Sequence, residues 1–195
     1  ADVVHIAYFD ATDNDLKYTY NDGTGWSTST IATGNVGQWI SIATDLNDNV
    51  HIAYRHLGDL SLMYITSDGQ GAWSESIVDN PTADVGRYTS IAVDSDAGVH
   101  ISYYDHTNMD LKYATIGTGD ASWTISIIDS TGDVGKYSSI VVDSNDDVRI
   151  SYYDASNQNL KYAGSGSAGQ GFLLIIDSEG DVGRYSSLAL DSDDN

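Results

Sequence analysis

Cations are scarce in this chain, and their placement is the first sign of chemistry. Of its 8 Lys and Arg residues, three stand in one recurring phrase: Arg87 in "DVGRY", Lys136 in "DVGKY" and Arg184 in "DVGRY". Each is followed by an aromatic residue, Tyr88, Tyr137 and Tyr185, and a fourth copy reads "NVGQW", with Gln38 and Trp39 in the same places. A cation beside an aromatic ring suits sugar recognition, because the ring packs on apolar C–H faces while Arg or Lys donates to hydroxyls or a carboxylate. The same phrase has a structural reading, in which Arg87 and Arg184 balance Asp84 and Asp181, three residues earlier, and pin neighbouring units together. A second recurring cation lies in "LKY", as Lys17, Lys112 and Lys161, where one copy has Met63 instead.

Acidic loops recur with the same rhythm. "YFDATDND", "YYDHTNMD" and "YYDASNQN" carry Asp10, Asp105 and Asp154. These read first as turn formers, since an Asp carboxylate bonds backbone amides in tight bends. They are also candidates for a ligand site if the chain brings them beside the "GRY" phrase. One copy breaks the pattern with "YRHLGDLSL", placing Arg55 and His56 where an aromatic and the Asp would stand and offering one unit a distinct site. The hairpins "DLNDN", "DSDAG", "DSNDD" and "DSDDN" resemble the opening of a calcium loop but supply no Glu at the twelfth position, so ordinary turns explain them as well. His5, His51 and His100, with Arg149 in the fourth copy, follow these hairpins and read as partners of the acids.

These groups need a repeating scaffold. Aligning the "VHI" starts puts copies at Val4, Val50, Val99 and Val148, separated by 46, 49 and 49 residues. A sustained period near 50 signals a repeat architecture. Within a copy every signal is strand: "VHISYYD", "DLKYAT", "WTISIID" and "YSSIVVD", separated by Gly, Asn and Asp clusters, with the one proline, Pro81, between strands. Four short strands per unit and no helical period predict an all-β propeller of four four-stranded blades, one domain over 1–195 with repeats 4–49, 50–98, 99–147 and 148–195. The loop after the second strand and the crossover into the first should then emerge on one face. The chain opens on the later strands of a blade and ends on a first strand, "YSSLALDSD". That predicts a ring closed by pairing this strand with the amino-terminal "VVHIAYFD", which removes an open sheet edge. A piece of a longer array, or a two-chain ring of eight blades, fits the same arithmetic.

Bulk composition narrows the partners. The net charge is −21, and of 29 acidic residues only Glu75 and Glu179 are not Asp. Such a surface disfavours nucleic acid and anionic lipid and leaves neutral or cationic ligands, or Ca²⁺. No apolar run reaches the length of a membrane helix, and no basic-then-apolar leader precedes the first repeat, as in a mature, trimmed or cytosolic form. With no cysteine there is neither a disulfide framework nor a thiolate metal site.

"TYNDGTGW", Thr19–Trp26, resembles the Asp-box of sialidase-type propellers, S/T-x-D-x-G-x-x-W, with Asn21 in the Asp place. "TSDGQGAW" keeps Thr66, Asp68 and Trp73, "SGSAGQGF" keeps Ser165 and Gly169, and the copy ending in Trp123 departs furthest. The box implies a tied hairpin between third and fourth strands with its aromatic packed inward. The "Y-Y-D…L-K-Y…G-W" cadence is also similar to that of fucose-binding lectin propellers. A sialidase relation would further imply an arginine cluster, a Tyr nucleophile assisted by Glu, and an Asp acid, a constellation these residues do not spell out. Near-equivalent repeats favour several weak sites over one asymmetric catalytic centre. The expectation is a non-catalytic carbohydrate-binding protein, secreted or at the cell surface, taking a glycan or other small neutral ligand. A structural or adhesion module, with Ca²⁺ among its acids, and a glycoside hydrolase relative are the alternatives. A monomer without a cofactor is expected.

Overall fold

The structure is a computed structural model, described here for all residues except 1–2, 68–70, 81–82, 166–170, 192 and 195. Fifteen strands and no helix are found among these residues. β1 (Val4–Asp10), β2 (Asp15–Asn21) and β3 (Trp26–Ala32) form a three-stranded antiparallel sheet. Three four-stranded antiparallel sheets follow. The first holds β4 (Val36–Thr44), β5 (Val50–His56), β6 (Leu62–Ser67) and β7 (Trp73–Asp79). The second holds β8 (Arg87–Val93), β9 (Val99–Asp105), β10 (Asp110–Ile116) and β11 (Thr124–Asp129). The last holds β12 (Val134–Val142), β13 (Val148–Asp154), β14 (Asn159–Ser165) and β15 (Gly171–Asp177). Each sheet is a blade, and consecutive blades stack face to face. Pro81, Asp68 and Gly169 lie outside the described residues.

The blades adhere through alternate residues of the middle strands. Leu16 and Tyr18 pack on Ile52 and Tyr54, Leu62 and Tyr64 on Ile101 and Tyr103, and Leu111 on Ile150 and Tyr152. The crossover into each inner strand is fixed by the "VG" pair. Its valine N–H donates to a carbonyl of the preceding blade in all four copies: Val36 to Asn14, Val85 to Leu60, Val134 to Met109 and Val182 to Gln158, at 2.9–3.0 Å. The glycine lies flat on a leucine. At Gly135, φ is +100° and an added Cβ would meet Leu111 Cα at 2.7 Å, so no larger residue fits. A ladder of serines joins the inner strands: Ile91 N–H donates to Ser41 Oγ, Ile140 N–H to Ser90 Oγ and Leu188 N–H to Ser139 Oγ, each at 3.1 Å.

The expected closure of the ring is not found among the described residues. Residues 182–190 sit on the fourth blade as β12 sits on the third, but they carry no strand, and none of their described residues pairs with β1. Stacking on a neighbouring blade alone thus places an inner strand, and sheet hydrogen bonds from a second strand are needed to make it regular.

Candidate functional site

The crossovers and the turns after the second strands meet on one face. Leu57 N–H donates to Asn35 O, His106 N–H to Asp84 O and Ala155 N–H to Asp133 O, all at 2.8 Å. Asp84 and Asp133 in turn donate their N–H groups to Thr107 Oγ1 and Ser156 Oγ, at 2.8 and 2.7 Å. The recurring cations stand at these joints. Arg87 Nη2 is 2.6 Å from Asp84, Lys136 Nζ 2.5 Å from Asp133 and Arg184 Nη2 2.7 Å from Asp181.

Two of the three cations lie over a tyrosine other than their sequence neighbour. Lys136 Nζ is 5.4 Å from the Tyr104 ring centre, and the Arg184 guanidinium carbon 5.1 Å from that of Tyr153. Tyr104 OH donates to Asp133 at 2.8 Å, and Tyr153 OH to Asp181 at 2.7 Å. The unit at Lys136 and Arg184 is therefore a Tyr–Asp–cation cluster, and at Arg87 the buried Arg55 takes the tyrosine's place on the Asp. Burial and the neighbouring Asp133 push the Tyr104 phenol well above its ordinary value, so it remains a donor. Burial would raise Asp84, but the guanidinium groups of Arg87 and Arg55 together hold it below the usual carboxylate range.

The aromatic residues next to those cations do something the sequence did not announce. Trp39, Tyr88, Tyr137 and Tyr185 touch one another in a continuous arc, with ring centres 4.3, 4.4 and 4.2 Å apart and each ring tilted 56°, 55° and 45° to the next. All four adopt left-handed backbone, at φ of 52°, 53°, 56° and 56°. Bulky residues rarely take this conformation, which costs roughly 1–2 kcal/mol at each position. The strain coincides with a register shift: Arg87 pairs with Tyr104 but Ser90 with Ser102, leaving Tyr88 and Thr89 in a bulge, and Lys136 and Ser139 bracket a matching shift. Trp39 and Tyr185, at the ends of the arc, are exposed.

Other candidates are placed differently. Asp105 is 1 % exposed and accepts from Asn108 N–H and Nδ2; Asp154 is 2 % exposed and accepts from Asn157 in the same way. Asp10 accepts from Thr12 N–H and lies 2.7 Å from Lys17, whose hydrogen bond is the largest influence holding its carboxyl down at about 2. Arg55 is 5 % exposed and forks onto Asp84 at 2.7 and 3.1 Å, so Asp84 is shared by two arginines. His56 Nδ1 accepts from Gly58 N–H and is 2.8 Å from Asp59. Gln38 stands in the first crossover, beside Asn35 rather than an Asp, with Phe9 where later blades have Arg55 or Tyr104.

A second set of ion pairs crosses the blade interfaces. Lys112 reaches back to Asp79 at 2.5 Å, where Tyr103 OH also donates at 2.6 Å. Lys161 and Tyr152 meet on Asp129 in the same manner. At the interface of the first two blades both partners are changed together: Ala32 holds the Asp position and Met63 the Lys position. This exchange was legible from the copies. Tyr54 OH there donates instead to Glu75, whose carboxyl burial raises, and Tyr54 is fully buried.

The hairpins on the opposite face spend their carboxylates on their own backbone. Asp45 accepts from the N–H groups of Asn47 and Asn49, Asp94 from Asp96 and Gly98, and Asp143 from Asn145 and Asp147. His100 and Arg149 add side-chain contacts to Asp94 and Asp143 at 2.9 and 2.6 Å, whereas His51 stands 3.6 Å from Asp45, too far to bond. Among the described residues no three His, Asp or Glu side chains are grouped to hold a metal ion. Of the box aromatics, Trp73 and Trp123 pack edge-on against Tyr18 and Tyr64 of the preceding blade, but Trp26 is 56 % exposed. A largely apolar cleft of about 560 Å³ opens between the outer strands of the last two blades, lined by His100, Tyr113, Ile127 and Phe172.

No family model matches the sequence, and no curated protein matches it. Solved structures do. The chain is similar to the fucose-specific lectin from Aleuria aurantia, at 14 % identity and TM-score 0.59 over 90 % of this chain and 61 % of that one. It is similar to SapL1 lectin in complex with alpha methyl fucoside, at 17 % and 0.61 over 92 % and 65 %. A NanB sialidase mutant from Streptococcus pneumoniae aligns at 16 % and 0.63 over 92 % of this chain but 31 % of that one. This chain thus spans less than two thirds of each of these structures. At such identities the likeness is one of fold, and the fold is a stack of propeller blades of the sialidase and lectin type.

Proposed function

We propose that the face bearing the aromatic arc binds carbohydrate without catalysis. The observation that carries this reading is the arc itself: Trp39, Tyr88, Tyr137 and Tyr185 keep contact at 4.2–4.4 Å while all four hold a disfavoured backbone. Backbone strain repeated at equivalent positions points to use rather than packing convenience. Aromatic faces offer a platform for the C–H side of a sugar ring. The flanking Arg87, Lys136 and Arg184 retain donors beyond those given to Asp84, Asp133 and Asp181, and their aspartates can accept from hydroxyls. One lectin of the same fold is fucose-specific and another is in complex with alpha methyl fucoside, which makes a neutral deoxy sugar the first ligand to try.

Several features speak for binding over turnover. Tyr54 and Glu75, a tyrosine–carboxylate pair of the kind a sialidase would use, meet where Tyr54 is fully buried. Arg55 and Arg87 both serve Asp84. The hairpin carboxylates are already satisfied by backbone amides, so binding is independent of Ca²⁺. A glycan-binding protein of this kind works outside the cell or on its surface. The test is a glycan array probed with and without Ca²⁺: the proposal requires binding that a chelator leaves intact, and an array without a positive spot contradicts it.

A further inference from the structure

The three interfaces inside the stack are not built alike at their outer edge. Trp73 opens β7 opposite Ser67 and lies edge-on against Tyr18 of the blade before, with ring centres 5.0 Å apart. Trp123 takes the same place against Tyr64, at 5.2 Å. At the third interface the register puts Gly171 there, opening β15 opposite Ser165. Phe172, one residue on, turns instead to Tyr162 of its own blade, at 5.8 Å. Its ring lies over Gly164, where an added Cβ would stand 2.7 Å from it. The connection before β15 reads "GSAGQ" and supplies no aromatic residue. Tyr113, the counterpart of Tyr18 and Tyr64, is thus left without an indole: those two are 7 % and 9 % exposed, whereas Tyr113 is only half-buried. The cleft of about 560 Å³ opens at this place, between two four-stranded blades.

We infer that this cleft is a binding slot for a small uncharged molecule carrying a flat aromatic ring of indole size. The ring takes the place against Tyr113 that Trp73 and Trp123 take against Tyr18 and Tyr64. Nothing in the backbone calls for glycine at 171: it has no left-handed φ, and an added Cβ would meet only the Gly164 carbonyl oxygen, at 3.8 Å. The residue leaves a slot rather than relieving a clash. The walls are apolar, with Val148, Ile150 and Ala163 facing Tyr113, and edge-on contact with a tyrosine is a favoured aromatic geometry. The volume falls within the range of small-molecule pockets, roughly 300–1,000 Å³, so a substituent on the ring is accommodated. The polar groups at the rim are already partnered and ask for no charge from a ligand. His100 holds Tyr113 OH at 2.5 Å and Asp94 at 2.9 Å, and Asp146 accepts from Ser95 N–H and Oγ at 3.1 and 3.0 Å. A ring N–H has a matching hydroxyl: Trp123 Nε1 comes within 3.5 Å of Ser76 Oγ, and Ser126 stands opposite Tyr113 as Ser76 stands opposite Tyr64. The slot shares no residue with the aromatic arc.

Titration of the isotope-labelled chain with indole, followed by amide NMR, tests this. Saturable shifts are expected at Tyr113, Ala163, Gly164 and Gly171. Their absence up to the solubility limit of indole overturns the inference, as do shifts confined to Tyr88 and Tyr137 of the arc. Gly171→Trp fills the slot with an indole of the chain's own. It should bind indole about tenfold more weakly or worse and resist urea better than wild type, while Gly171→Ala binds as wild type does. Undiminished affinity in Gly171→Trp, shown to be folded by circular dichroism, overturns the inference; the wild-type shifts decide the matter should that variant not fold. Trp123→Gly empties the second interface and should take up a second indole, shifting the Tyr64 amide and regaining stability; no second site contradicts the equivalence of the two places. Indole-3-acetate would bring its carboxylate beside Asp146 in a chain of net charge −21 and should bind about tenfold more weakly than indole. Equal binding of the two contradicts an uncharged ligand.

Discussion

The cross-blade ion pair at Asp129 gives a quantitative test, because the chain contains its own control. Asp129 is 3 % exposed and accepts from Lys161, from Tyr152 OH at 2.8 Å and from Thr131 N–H at 3.0 Å. In Asp129→Ala the Lys161 ammonium keeps only Asp154, 4.0 Å away, and the fully buried Tyr152 hydroxyl loses its acceptor. Breaking a buried pair from one side costs about 3–5 kcal/mol. The first interface shows the apolar solution, with Ala32 and Met63 in these places. The triple change Asp129→Ala, Lys161→Met and Tyr152→Phe removes both side chains that Asp129→Ala strands and leaves only the exposed Thr131 N–H to water, and such replacements cost about 0–1 kcal/mol or stabilise. Repeat arrays need not unfold in one step, so the readout is hydrogen exchange of β10 and β13 amides, with urea unfolding alongside. If the triple variant is as destabilised as Asp129→Ala, the pair is not what sets the cost, and the reasoning fails.

Three further outcomes follow from the same geometry. Gly135→Ala forces a Cβ to within 2.7 Å of Leu111 Cα at φ +100° and should lower stability by more than about 1 kcal/mol, read by chemical denaturation. Tyr137→Gly relieves a left-handed backbone worth roughly 1–2 kcal/mol but loses three ring contacts, to Tyr88, Tyr153 and Tyr185, of about 0.5–1.5 kcal/mol each; its stability should fall by less than the ring contacts alone would cost, while glycan affinity falls. Burial depresses the His51 imidazole, with Asp45 only partly opposing it. The unfolded chain therefore binds the proton more readily, and this contribution is present above about pH 6.5 and lost as pH falls through the lower folded value. His51→Gln should flatten the change in unfolding free energy between neutral and mildly acidic pH, and an unchanged slope would refute the assignment.

The blade pattern was legible because strand signals are local: "VHISYYD" and "DLKYAT" became β9 and β10 nearly to the residue. The meeting of crossovers and second-strand turns on one face followed from blade order alone. The conformation of the "GRY" aromatic was not legible, since nothing in its identity announces φ near +55°. That value comes from a bulge set by neighbouring inner strands. Nor could adjacency in sequence reveal that Lys136 lies over Tyr104 while Tyr137 turns to Tyr88. Ring closure was inferred from the order of strands, but order specifies which strand is missing and not whether the stack curves enough to bring its ends together. The joint paired substitutions Ala32 and Met63 were readable in the copies, and they carry the cross-blade charge logic that strand periodicity does not.

The claim on which the functional account rests is that the aromatic arc is the ligand platform. Trp39 stands at one end of it, so tryptophan fluorescence during titration with methyl α-fucoside, and then with any glycan positive on the array, reports the arc directly. The account predicts a saturable change that disappears in Trp39→Phe and weakens strongly in Tyr88→Ala. Undiminished glycan binding by Tyr88→Ala, measured by calorimetry, would contradict it.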